Sequence, residues 1–235
     1  MPAWTWPRTI EGDTGRDLAR HGSGALSGDP FIGRAAKPLI FILCLLPLAW
    51  LVWRATSGGL GANPIEAINR YLGDWALRFL LIALAVTPFG GLSGWKGVVR
   101  MRRMLGLFAF TYVLLHLNSY VVLDHFFSWR DIWSDIVKRN FITVGMVNVV
   151  LLTPLAVTST NAMVRRLGAR RWRLLHRLVY VAGILGVVHF YMMVKADVRE
   201  PLVYAAILAL LLGYRVLAAW RRRRIRAHPA ASVNL

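Results

Sequence analysis

Three histidines, His116, His176 and His189, stand inside runs of apolar residues long enough to cross a bilayer. An ionisable group at membrane depth is costly to bury and by default marks a functional site. Imidazole can relay a proton, ligate a metal or simply pack behind a hydrogen bond. A proton or cation carrier ordinarily keeps a carboxylate beside such a group. Here all eleven acidic residues, Glu11, Asp13, Asp17, Asp29, Glu66, Asp74, Asp124, Asp131, Asp135, Asp197 and Glu200, are expected outside the spans. That argues against transport and against a metal site built from histidine and carboxylate. The single cysteine, Cys44, rules out an internal disulfide and a thiolate metal site, and suits a small packed residue. Imidazoles without acids on parallel spans suit axial ligation of haem iron. A lone histidine in a span is more often a packing residue; two at one depth on parallel spans tip the balance toward ligation.

The elements that must position these residues follow from composition. Of 235 residues 57% are hydrophobic, ten are tryptophan, and the mean hydropathy is +0.49. A soluble domain has no need of that much apolar surface. The net charge of +18 would suggest nucleic acid in a soluble chain. The basic residues fall between the apolar runs, as a membrane topology requires, so a nucleic-acid binder is excluded. We expect an all-α, polytopic membrane protein with six transmembrane helices in one bundle, near 38–53, 75–92, 104–123, 141–158, 174–195 and 201–220. Residues 1–36 read as a flexible cytoplasmic tail, 37–220 as the transmembrane domain and 221–235 as a basic cytoplasmic tail that touches membrane lipid. The glycines and Asn-Pro of 57–74 suggest a loop, and Arg78 is expected to reach outward to the interface. Residues 124–140 suggest an amphipathic surface segment, and 162–168 a short helix stopped by Gly168. His21, His125 and His228 read as exposed or interfacial.

Six spans put both termini on one side. The connections on that side carry 19 Lys and Arg against 7 on the other, which places both termini in the cytoplasm. Spans three and five then run outward together, with His116 and His189 both in the outer half. His176 lies thirteen residues before His189, about 20 Å along an ideal helix and roughly 140° away around it. Gly183 and Gly186 between them could permit a bend. The matching inner position on span three is Arg102 or Arg103 rather than histidine. Those arginines either set topology or contact a haem propionate or a flavin phosphate. Tyr112, Tyr120, Tyr180 and Phe190 read as ordinary span packing.

At RRMLGLFAFTYVLLHLNSY (102–120), LAVTSTNAMVRRLGARRWRLLHRLVY (155–180) and HFYMMVK (189–195) the sequence resembles the MsrQ family, haem-binding membrane subunits of the periplasmic protein-methionine-sulfoxide reductase system. GGLGANP (58–64) and ALRFLLIALAVTPF (76–89) fit the same pattern, within the wider group of ferric-reductase-like transmembrane domains. The resemblance implies b-type haem, one or two per chain, with His116, His189 and His176 as ligands. It implies electrons taken from the quinol pool or a cytoplasmic flavin reductase and passed to MsrP, a periplasmic molybdenum-cofactor subunit that carries out the sulfoxide chemistry. Flavin mononucleotide (FMN) is associated with the family, without a residue here that locates it. The alternative is a ferric or cupric reductase using the same haem core on another acceptor.

Overall fold

The computed structural model describes residues 30–194 and 196–227, and these contain helices and turns with no strand. His21, His228 and the two tails beyond these residues lie outside the described part. Eight α-helices follow one another: α1 Pro30–Thr56, α2 Pro64–Leu92, α3 Arg102–Asn118, α4 Trp129–Lys138, α5 Asn140–Val157, α6 Asn161–Leu175, α7 Leu178–Met193 and α8 Arg199–Ala227. Among the described residues α1, α2, the segment Gly97–Asp124 around α3, α5 and α8 are each long and apolar enough to cross a membrane. The pair α6 and α7, bent by 44° at its break, makes a sixth span when taken as one. The chain is thus the multi-pass helical protein its hydropathy predicts.

α2 is the centre of the bundle. Its buried residues, among them Leu72, Ala76, Leu77, Leu80, Leu84 and Val86, lie on several sides of the helix, as a helix apolar all round must. One face packs with Leu105, Phe108, Ala109 and Tyr112 of α3 and with Cys44 and Leu51 of α1. Another, through Leu77, Leu81 and Leu84, meets Val187 of α7 and Leu208 of α8. Cys44 is buried as expected and unpaired, and its carbonyl accepts a hydrogen bond from Tyr112 Oη at 3.0 Å. The outer faces of α1 and α8 expose Leu39, Ile42, Trp53, Leu210 and Val216, the surface a helix presents to lipid.

Three expectations need correction. First, residues 64–74 are helix, so α2 begins at Pro64 rather than near Trp75. Asn63 caps it by accepting from the Glu66 amide, Pro64 sits where its missing N–H costs nothing, and Glu66 pairs with Arg70 one turn on at 2.6 Å. The turn signals marked a helix start. Glu66 and Asp74 therefore lie within a spanning helix, and the premise that no acid enters a span fails.

Second, Arg78 is part-buried and engages neighbouring side chains. Its Nε donates to Tyr204 Oη at 2.8 Å, and its guanidinium lies 5.1 Å from the Trp75 ring centre. The short helix does stop at Gly168, as expected: that glycine adopts φ 74° and ψ 149°, a conformation open to glycine alone, and a second helical segment of α6 runs on from it to Leu175. A further break falls at His176 and Arg177. Third, His125 is largely shielded rather than exposed, its side chain 15% exposed, with Nε2 3.4 Å from the Asp135 carboxylate and its ring against Tyr120. α4 is amphipathic as expected, with Ile132 turned inward and Trp129, Trp133 and Val137 exposed.

Candidate functional site

His116 and His189 face each other across a cavity between α2, α3, α5 and α7, their ring centres 6.2 Å apart and their planes at 78°. Each ring is held by a main-chain carbonyl of a neighbouring helix. His116 Nδ1 lies 2.9 Å from the carbonyl oxygen of Asn69 on α2, and His189 Nδ1 lies 2.7 Å from that of Phe141 on α5. A carbonyl only accepts, so each Nδ1 carries the proton and donates it. Each Nε2 is left as a lone pair, the form in which imidazole binds a metal.

The main chain of His116 is gripped as well. Its carbonyl accepts from Ser119 Oγ at 2.8 Å, and Asn69 Nδ2 donates to that same Oγ at 3.0 Å. Immediately after it, Ser119–Asp124 is wound as a π-helix, a feature that often accompanies a functional site. The cavity walls carry small residues from four helices, Gly73, Ala76, Ala109, Gly145 and Gly186. Asn148 also lines it, and its buried Oδ1 has no protein partner.

A planar iron macrocycle fits these observations. An imidazole–metal bond is roughly 2 Å long, so two axial rings on one iron have centres about 6 Å apart. The small residues leave room for a flat group, and both Nε2 atoms are free. Arg70 and Arg139 line the cavity toward the end that holds the α1–α2 connection.

His176, Arg102 and Arg103 do not join this cavity. His176 sits at the break between α6 and α7 with its ring stacked on Trp172 at 3.8 Å. Its Nδ1 is 3.1 Å from the Trp172 carbonyl oxygen and its Nε2 is 3.4 Å from Ser159 Oγ. The break also removes the azimuth problem, since His176 and His189 do not share one straight helix. Arg103 is exposed and donates to Asn161 Oδ1 at 2.5 Å. Arg102 is half-buried against Tyr180. Sequence reasoning missed Asn69, Gly73, Phe141, Gly145 and Asp74, which also lines the cavity. The one available signal was a glycine four residues after the residue whose carbonyl is used, at both 69–73 and 141–145.

Comparison with known proteins places the fold in a class. Residues 72–187 match the family described as ferric reductase like transmembrane component, a stretch that includes His116 and His176 and stops two residues short of His189. The relatives are more specific. A protein of Rhodospirillum rubrum named protein-methionine-sulfoxide reductase heme-binding subunit MsrQ is 58% identical over 203 residues, 86% of this chain and 96% of its own. Proteins of the same name from Caulobacter vibrioides and Polaromonas naphthalenivorans are 52% and 54% identical, over 79% and 86% of this chain and 87% and 93% of theirs. The chain belongs to the MsrQ family.

Proposed function

We propose that this chain is a membrane electron carrier that holds one b-type haem between His116 and His189. The observation that carries the reading is the paired geometry: ring centres 6.2 Å apart with both Nδ1 atoms committed to carbonyls. The relatives are named for haem binding and for methionine sulfoxide reductase. Haem iron, when bound, alternates between ferric and ferrous states and so carries one electron at a time. The Asn69 and Phe141 carbonyls hold the Nδ1 protons, which raises the basicity of each imidazole toward the metal. Leu77, Leu80 and Leu152 line the cavity with apolar surface. Arg70 and Arg139, paired with Glu66 at 2.6 Å and Asp135 at 3.3 Å, line the cavity and would be the residues to hold haem propionates. At the opposite end no second histidine stands across from His176 among the described residues, which supports a single haem.

In this reading the donor is the quinol pool or a cytoplasmic flavin reductase, acting at the end where Arg102 and Arg103 lie. Arg102 is the candidate contact for an anionic donor group, the phosphate of FMN included. The acceptor is periplasmic MsrP. The protein occupies the bacterial inner membrane with both termini in the cytoplasm. The test mixes the purified, anaerobically reduced protein with MsrP and methionine sulfoxide, and separately with ferric and cupric salts. Rapid haem oxidation that requires MsrP is expected. Oxidation by the metal salts alone, with none by MsrP, would hand the function to a metal reductase.

A further inference from the structure

The two histidines rest on the same local device, repeated on two helices. In an α-helix the carbonyl of residue i already accepts from the N–H of residue i+4. The Cβ of residue i+4 leans back toward the N-terminus and crowds that carbonyl, so a slender hydroxyl can still reach it from the side but a bulky ring packed close against the helix is hindered. Asn69 is followed four residues later by Gly73, and Phe141 four residues later by Gly145. A Cβ at Gly73 would stand 3.2 Å from His116 Cε1 and Nδ1. One at Gly145 would stand 2.9 Å from His189 Cε1 and 3.1 Å from Nδ1. Both are closer than a neighbouring ring can tolerate without shifting.

Resting on the assignment of His116 and His189 as the haem ligands, we infer that residues 69–73 and 141–145 are two equivalent histidine seats. Each consists of an open helix carbonyl and the glycine that exposes it. Gly73 and Gly145 are positioning residues. They admit the imidazole to the carbonyl, fix which nitrogen carries the proton, and so set ring orientation and ligand basicity. Losing the hydrogen bond makes the imidazole a poorer donor to ferric iron, so the haem potential rises.

The test uses the full-length protein in detergent, with Gly73→Ala and Gly145→Ala beside Gly106→Ala and Gly213→Ala. An added Cβ at Gly106 or Gly213 meets nothing within 4 Å, so these report the general effect of a helical glycine substitution. Paramagnetic resonance of the ferric haem and a redox titration are the readouts, with haem-to-protein ratio alongside. Shifted g values and a raised potential are expected in both seat variants, larger in Gly145→Ala, and wild-type values in both controls. Loss of haem from a monodisperse Gly145→Ala protein supports the same conclusion, and Gly73→Ala, the looser seat, keeps the test readable. Wild-type spectra and potential in both seat variants would overturn the inference. His116→Ala and His189→Ala, prepared in parallel, separate the two levels: haem retained in those variants defeats the ligand assignment itself, whereas silent glycine variants defeat only the seats.

Discussion

His116 and His189 differ from His176 in what their nitrogens face. In the first pair one nitrogen is tied to a helix carbonyl and the other opens on the cavity, whereas both nitrogens of His176 meet Ser159 and Trp172. His176→Ala should therefore leave haem content at the wild-type ratio, measured as pyridine haemochrome, while slowing reduction by the donor at that end. A halved ratio would assign His176 a haem of its own. The histidines themselves were legible because a titratable ring inside an apolar run stands out. Their supports were not, since a main-chain carbonyl has no sequence signature and a glycine four residues on is common in any membrane helix. Arg102 and Arg103 read alike in sequence. Only packing separates the half-buried one from the one tied to Asn161.

At the scale of elements, the bundle is shaped by places where a helix is interrupted and then repaired. Pro88 lacks an N–H, so the carbonyl of Leu84 loses its partner one turn back. Arg215 of α8 donates Nη2 to that carbonyl at 2.7 Å, its guanidinium 5.3 Å from the Tyr180 ring centre. Arg215→Met leaves a buried carbonyl unsatisfied and should cost about 1–3 kcal/mol, read as a lower melting temperature in detergent. In a Pro88→Ala background, which restores the N–H, most of that loss should vanish. Additive effects would mean that the arginine does something other than cap this carbonyl. Gly168→Ala should destabilise by about 1–3 kcal/mol through backbone strain alone, because its Cβ would meet nothing within 4 Å. The start of α2 was misread for a physical reason: Asn63-Pro64 serves equally as a turn and as a cap followed by the first helical residue, and only the Glu66 amide shows which. The break at His176 had no such marker. The residue that ends α6 is an ordinary Leu175.

For the whole molecule, the proposed orientation rests on charge and apolar surface together. Nineteen Lys and Arg on one side against seven on the other should hold both termini in the cytoplasm. A reporter fused after Leu235 should be active only in its cytoplasmic form, and a periplasmic signal would reverse every assignment of donor and acceptor ends. The six-span architecture was legible because a run of about twenty apolar residues has few alternatives to crossing a bilayer. Less legible was the exclusion of transport by missing acids, because Asp74 enters the bundle with the early start of α2 and lines the cavity. The electron-carrier reading stands instead on the ring geometry and on the relatives.

The most direct measurement is the haem-to-protein ratio of the wild type and of His116→Ala and His189→Ala, purified after expression with ample haem supply. One b-type haem per chain in the wild type and none in either variant is the predicted result. A full complement of haem in either variant would contradict the pairing of His116 with His189.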